Sequence, residues 1–277
     1  MSALADRLRQ LIRPGDTHWW GQTTAEPLTL TRAVTAHRHA LAQGARLRVF
    51  VGIAASDTLA PEQADAIDFF GYAAGGAHRR LADAGVLDIL PCHYSHLPGL
   101  IRAGVLPADV VLLQVSPPDE QGRYSLGLAQ EYLPAALEKA RVVIAEVNPG
   151  IPWTHGGVHL RAGDFALCID AEHPPLEQSR SAPGPAEQAI ARHIAALVED
   201  GATLQLGVGN LPEAVLAALH GHRDLGLHSG AVGDGIARLA EAGVLTNAKK
   251  SVDAGVGVGG ILMGSERLRR WAHRNPQ

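Results

Sequence analysis

DVVLLQVSPPDEQGRYSLGLAQEYLPAALEKARVVIAEV, residues 109–147, holds two mainly aliphatic runs with a helical stretch between them. The runs at 109–115 and 141–147 are short and rich in valine and isoleucine, which predicts strands buried on both faces. The spacing of Leu133, Ala136 and Leu137 predicts a helix over 132–140. A strand, a covering helix and a second strand make a parallel pair. SPPDEQGRYSLG at 116–127 reads as a β-turn segment, with Asp119 and Gly122 suited to the turn.

The same alternation extends outward. RLRVFVGI, DILP at 88–91 and FALCID at 165–170 read as further strands. Helices are expected over 2–12, capped by Ser2 and stopped by Pro14-Gly15, and over 32–43, ended by Gly44. PEQADAIDFF also reads as a helix, with Pro61 in its first turn, and another lies near 77–84. THWWGQTTAEPLTL reads as an irregular approach. The fold class is therefore α/β with mainly parallel sheets.

Composition agrees. Of 277 residues, 46% are hydrophobic and only 4% aromatic, which suits an aliphatic α/β core and excludes a disordered or charged coiled-coil chain. A formal net charge of −4 gives no electrostatic reason to expect nucleic acid. Two cysteines, Cys92 and Cys168, imply no disulfide framework and fit a reducing compartment. The charged start MSALADRLRQLIRPGD lacks a secretory apolar core, and no run approaches membrane-spanning length. The expectation is a cytoplasmic protein that takes no membrane or nucleic acid.

The proline-rich stretch EHPPLEQSRSAPGPA divides the chain into a first domain at 1–171, a connector at 172–186 and a second domain at 187–277. The second echoes the first. VFVGIAASDTLAPEQADAI and LQLGVGNLPEAVLAAL each run from strand to glycine turn to Pro-Glu helix start, and LADAGVL at 81–87 matches LAEAGVL at 239–245. After LADAGVL the first domain continues through further strands, but after LAEAGVL only SVDAGVGVGGILMGSERLRRWAHRNPQ and a short lead remain. The second domain is thus expected to be truncated, with Val256, Val258, Ile261, Leu262 and Met263 short of partners.

Candidate chemistry gathers at the strand ends. In GVGNLP at 207–212 a strand feeds a glycine turn and a helix start, a combination of backbone N–H groups that favours a phosphate or another anion. Pro212 replaces the third glycine of a dinucleotide fingerprint, and a tight structural turn is the plain alternative. DLGLHSGAVGDGIARL reads as a strand end, a glycine-rich turn and a helix. His228, Ser229 and Asp234 suggest a hydrolytic triad, but adjacent His and Ser side chains diverge on a strand and no G-x-S-x-G elbow exists. The histidine clusters His37/His39, Cys92/His93/His96 and His220/His222 lack paired metal-ligand spacing and read as surface or loop residues, so no metal is expected. In EVNPGIPWTHGG, Trp153, Thr154 and His155 are open to two readings, a pocket wall or a rigid crossover packed under Trp153.

Taken in order, SPPDEQGRYSLG, EVNPGIPWTHGG, GVGNLPEAVLAAL, DLGLHSGAVGDG and LTNAKKSVDAGV resemble the acetyl-CoA hydrolase/CoA-transferase family, the group of acetate and 4-hydroxybutyrate CoA-transferases, over nearly the whole chain. The resemblance implies two α/β domains of similar topology. It implies covalent catalysis, in which a glutamate attacks an acyl-CoA thioester, forms an acyl anhydride, and then carries CoA to a second carboxylate such as acetate. Coenzyme A is implied as substrate, with no tightly bound cofactor, and the turn Gly207, Val208, Gly209, Asn210 and Leu211 would help hold it. The family's glutamate follows His-Ser, where this chain has Gly230, so no catalytic residue is assigned. Asp234 matches the acidic residue of the following Asp-Gly pair and does not fill that slot.

Three readings follow. The first is an acyl-CoA-processing transferase or hydrolase, in which loss of the glutamate leaves direct attack by water. The second is a CoA-binding remnant without catalysis, or a subunit completed by another chain or by a homo-oligomer. The third is an unrelated nucleotide-binding α/β protein, which would bind NADH in place of CoA.

Overall fold

A computed structural model describes residues 3–178 and 182–277. Ser2, expected as a cap, and connector positions 179–181 lie outside the described residues. The chain divides into two compact units, one running to Trp153 with Gly157–Leu176, the other comprising Thr154–Gly156 with the chain from Glu177 onward.

The first unit contains α1 (Ala3–Leu11), β1 (Thr17–Trp20), α2 (Leu28–Ala36), α3 (Arg38–Ala42), β2 (Leu47–Val51), β3 (Ile67–Gly71), α4 (Arg79–Asp83) and β4 (Leu87–Ile89). It continues through α5 (Leu97–Arg102), β5 (Val110–Val115), β6 (Arg123–Ser125), α6 (Leu133–Lys139), β7 (Val142–Val147), β8 (His159–Arg161) and β9 (Leu167–Asp170). Seven of these strands form one sheet in the order β4-β3-β2-β1-β5-β7-β9, and every pairing is parallel. Strand order reverses between β1 and β5, the switch point of a doubly wound sheet. β6 and β8 form a separate antiparallel pair.

Period-2 alternation sends side chains to two cores. Val49, Val51, Ile67, Phe69, Leu112 and Ile144 pack on one face with Leu30 and Val34 of α2. Trp19, Phe50, Phe70, Val111 and Leu113 pack on the other with Leu97 and Ile101 of α5 and Leu133 and Ala136 of α6.

Two strands differ from the sequence expectation. THWW is the fully buried β1 at the sheet centre, not an irregular approach. Its first two residues are polar, and hydrogen bonds from the Thr17 backbone and from one ring nitrogen of His18 offset part of the cost of burial, while His18 Nε2 has no partner among the described residues. Thr17 N–H donates to Asp109 Oδ2 at 2.9 Å, and His18 Nδ1 lies 3.1 Å from the Asp16 carbonyl. Burial pushes the His18 pKa down. PEQADAIDFF is likewise not one helix. A 3-10 turn over Pro61–Asp65 gives way to β3, whose Phe69 and Phe70 enter opposite cores. The isoleucine and phenylalanines that follow fit a pleated surface better than a helix. The 32–43 helix begins earlier, at Leu28, and breaks at His37 into α2 and α3.

The second unit holds α7 (Pro185–Ala195), β10 (Thr203–Leu204), α8 (Asn210–Ala218), β11 (Gly226–Val232), α9 (Asp234–Glu241), β12 (Val258–Leu262) and α10 (Glu266–Ala272). Among the described residues its sheet is the parallel β10-β11-β12. The echo between the units is physical. Both matched segments end a helix in the same motif: Gly85 (φ 69°) with Val86 N–H to Leu81 O at 3.0 Å, and Gly243 (φ 73°) with Val244 N–H to Leu239 O at 2.9 Å. Of the five residues expected to lack partners, Ile261 and Met263 are buried, while Val256 is 43% exposed. No helix among the described residues is long and apolar enough to cross a membrane.

Glu146 of β7 supplies a pH-sensitive contact. Its side chain is fully buried, Oε2 accepts Leu30 N–H at 3.1 Å near the start of α2, and Oε1 has no partner. Burial raises its pKa to about 7 against the opposing helix N–H groups. A carboxyl raised in the folded state favours folding while protonated, and that advantage is lost as pH rises from the unfolded value through the folded one. Glu146→Gln mimics the neutral acid. Urea unfolding should show wild type losing stability relative to E146Q between pH 4.5 and 8, by up to about 3 kcal/mol. A pH-independent difference would assign the titration elsewhere.

Candidate functional site

The turn Gly207–Gly209 and the strand β11 stand side by side in the second unit. Ser229 Oγ holds them together: it lies 3.1 Å from both the N–H and the carbonyl of Leu206, the residue before the turn, and 2.7 Å from Ala231 O. Ser229 is buried and so engaged, while its neighbour His228 is exposed on the opposite face. The divergence expected of adjacent strand residues is observed, and no hydrolytic triad forms. Asp234 is also structural. Its carboxylate opens α9 and accepts from Ser265 N–H at 3.1 Å and Ser265 Oγ at 3.0 Å, anchoring the start of α10.

Gly209 is the residue before α8 and has φ 139°, a conformation that favours glycine. As the N-cap residue it has no side chain with which to cap the helix. Pro212 is the third helical residue, where its missing N–H breaks no helical bond. The nine-residue helix therefore starts from a glycine N-cap beside an exposed turn, an arrangement suited to an anion. Val208 is 46% exposed, so the turn is not packed shut within its unit.

Gly230 lies inside β11, not on a turn as the sequence suggested. A Cβ built there meets nothing within 4 Å, and the residue is exposed. Its cross-strand neighbour differs: a Cβ on Gly260 would stand 2.8 Å from Gly230 O, so Gly260 is sterically required. Glycine at 230 has no such cause.

Asn247 and Lys250 were passed over in the sequence as functional residues, and both fix the strand that carries Gly230. Asn247 Oδ1 accepts Leu227 N–H at 2.9 Å. Lys250 is buried, and Nζ donates to Leu227 O at 2.9 Å and Val256 O at 2.6 Å, tying β11 to the segment before β12. The available signal was Asn247 itself, since asparagine tolerates the left-handed φ of 59° it adopts. Glu213 of α8 forms an ion pair with Arg238 of α9 at 2.7 Å and packs where a Cβ on Gly235 would collide.

The other expected features are structural. Asp119 accepts the N–H groups of Gln121 and Arg123, making the β-turn with Gly122 at φ 73°. Trp153 is buried, stacks on His159 at 4.6 Å and donates to Arg123 O, as a packed crossover requires. His37 is half-buried at the α2–α3 junction rather than on an exposed face, whereas His39 is exposed and bonded to Asp65. Among the described residues no three His, Cys, Asp or Glu side chains converge as a metal site.

Comparison with known proteins gives a consistent picture. The family described as acetyl-CoA hydrolase/transferase N-terminal domain matches residues 3–163. The 4-hydroxybutyrate coenzyme A transferase of Clostridium kluyveri is 41% identical over 202 residues, covering 73% of this chain and 47% of that protein. Butyryl-CoA:acetate CoA-transferase of Anaerostipes caccae is 30% identical over 282 residues, 99% of this chain and 63% of its own length. Among solved structures, 4-hydroxybutyrate CoA-transferase from Porphyromonas gingivalis matches with TM-score 0.79 and 29% identity, over 99% of this chain and 65% of that one. RipA from Yersinia pestis matches with TM-score 0.90 and 26% identity, over 99% and 66%. The chain thus spans between about half and just under two thirds of the length of these relatives.

Lys250→Met keeps most of the buried stem but leaves the carbonyls of Leu227 and Val256 without their donor. It should cost about 2–3 kcal/mol in thermal or urea unfolding. A neutral substitution would show that β11 is held in place without this contact.

Proposed function

The chain belongs to the acetyl-CoA hydrolase/transferase family, and on that premise we propose that it binds an acyl-CoA at the 207–211 turn and processes the thioester, with a small carboxylate such as acetate as CoA acceptor. The single observation that carries this is the glycine-led N-terminus of α8, where Gly209 at φ 139° opens the helix beside an exposed turn that Ser229 ties to the strand containing Gly230. Backbone N–H groups of the turn would receive an anionic part of CoA, and the lack of side chains at Gly207 and Gly209 lets it approach the backbone. The relatives named as CoA-transferases for butyryl-CoA with acetate and for 4-hydroxybutyrate support this substrate class.

Gly230 limits the chemistry. A glycine offers no carboxylate, so an acyl-enzyme anhydride cannot form at this position, and attack by water is the route left to the chain alone. The same observation favours a second reading, a protein that binds CoA without turnover or is completed by another chain. Propionyl-CoA offered with and without acetate separates them. Formation of acetyl-CoA indicates transfer, free CoA without acetate dependence indicates hydrolysis, and calorimetric CoA binding with neither indicates binding alone. Binding of NADH but not CoA would overturn both.

Gly209→Val imposes a β-branched side chain on a φ of 139° while its nearest neighbour, Pro212 Cδ, leaves space at 3.7 Å. It should weaken CoA binding by about tenfold or more, roughly 1.4 kcal/mol, without unfolding the chain. Unchanged affinity by calorimetry would move the CoA site elsewhere. Gly230→Glu enters open space on an exposed strand face. The parent should show no CoA bound covalently to protein, and G230E should gain a borohydride-trappable glutamyl thioester and measurable transfer to acetate. Trapping in the parent would overturn the assignment of position 230, since restoring a lost nucleophile is worth about 10⁴–10⁶ in kcat in comparable deletions.

A further inference from the structure

A small cavity in the first unit lies where the chain leaves β1 and β2. Its volume is about 10 Å³, and its walls include Gln22, Thr23, Glu26, Gly52, Ser56 and His78. That is close to the space one water molecule needs, and a buried water also needs two or more polar partners.

The polar partners can be counted. Gln22 is spent: its amide nitrogen donates to Glu131 at 2.9 Å and Tyr94 at 3.1 Å, and its oxygen accepts from Ile53 N–H and Tyr72 OH, both at 2.9 Å. Ser56 Oγ donates to Glu26 Oε2 at 2.5 Å and accepts Thr58 N–H at 3.2 Å. Glu26 keeps capacity, because each carboxylate oxygen has two lone pairs and each takes one hydroxyl, from Ser56 and from Thr31. Thr23 keeps all of its capacity. It is 1% exposed, and its Oγ1 has no hydrogen-bond partner. A buried hydroxyl left unbonded is costly, so a native fold rarely keeps one without an ordered water nearby.

Thr23 cannot turn away easily. Its φ of 51° is unusual for a β-branched residue, and Thr23 N–H donates to Ile53 O at 2.7 Å, locking the loop after β1 to the loop after β2. Gly52 fits this closeness, since a Cβ there would stand 2.7 Å from Gln22 Cβ. His78 lines the same space. It is buried, and desolvation with the nearby Arg80 lowers its pKa to about 4, so at neutral pH one ring nitrogen is an acceptor.

We propose that this cavity is a binding site for a single structural water, which bonds Thr23 Oγ1 and the Glu26 carboxylate and so braces the loop after β1 where it meets the loop after β2. Thr23 is then a positioning residue for the loop that carries Gln22 and Glu26. The site is independent of the CoA turn, and its failure would leave that reading untouched.

Thr23→Val tests this by sign. Valine matches threonine in shape and shares its β-branching, so the backbone strain is nearly unchanged. With the water present, T23V removes one of its bonds and the melting temperature should fall by about 2–4 °C. With an empty cavity, T23V removes an unbonded buried hydroxyl and the melting temperature should rise. A crystal structure at 1.5 Å resolution gives a second readout. A density peak about 2.7–3.0 Å from Thr23 Oγ1 and a Glu26 oxygen is the expected result. No peak, or a peak about 2.4 Å from five or more oxygens as a cation requires, would overturn the proposal.

Discussion

The central strand β1 must bury four residues in the middle of a seven-stranded sheet although two of them, Thr17 and His18, are polar. The sheet pairing alone does not satisfy every polar group of this strand, so neighbouring segments are recruited for the Thr17 backbone and the His18 ring. Asp109 reaches across to Thr17 N–H, and the carbonyls of Asp16 and Arg48 receive His18. Trp19 then sets the aromatic face: it stacks on Phe50 at 4.0 Å, meets Phe70 and Tyr132 edge-on, and donates to Pro107 O at 2.8 Å. Each such ring pair adds about 0.5–1.5 kcal/mol beyond burial. Tyr132 closes the arrangement with a bond to Trp20 O at 2.8 Å. The switch point beside β1 is where an open α/β sheet has room for a ligand. Here the chain's own loop enters it, with Gln114 donating to the carbonyls of Thr24 and Glu26.

The second unit solves a different problem. Its sheet has three strands among the described residues, and the central β11 pairs with the two-residue β10 only at Gly226 and Leu227 and with β12 from His228 to Val232. Side chains reinforce that pairing: Ser229 joins β11 to the residue before the glycine turn, Asn247 and Lys250 join it to the segment before β12, and Asp234 fixes α10. The result is a strand held rigidly by polar side chains on its buried side while His228 and Gly230 remain exposed on the other.

What the sequence revealed and what it hid follow from the same physics. β5 and β7 were legible because a strand buried on both faces needs a mostly aliphatic run, and 110–115 and 142–147 each supply one with a single polar residue, Gln114 and Glu146. β1 was hidden because its burial depends on long-range partners, notably Asp109 and Pro107, that local periodicity cannot show. β3 was hidden because a proline-led helix start masked the strand pattern that follows it. The helix endings at Gly85 and Gly243 were legible because a left-handed residue after a helix almost demands glycine. At the site, Gly209 carried a local signal, while Lys250 looked like a surface lysine until folding placed its ammonium over two carbonyls.

The contrast between Gly230 and Gly260 shows how a missing side chain is to be interpreted. At Gly260 the opposing backbone leaves no room, so selection for the fold alone accounts for the glycine. At Gly230 a side chain would enter open space, and glycine in a strand interior weakens the strand without a packing gain. Folding therefore does not account for it. The remaining pressures are those on the exposed face: close approach of something to the backbone, or release from the chemistry that a carboxylate there would perform. Both concern what the exposed face of β11 contacts rather than how the strand folds, which sets Gly230 apart from Ser229 and Asp234, whose side chains are spent on hydrogen bonds inside the unit.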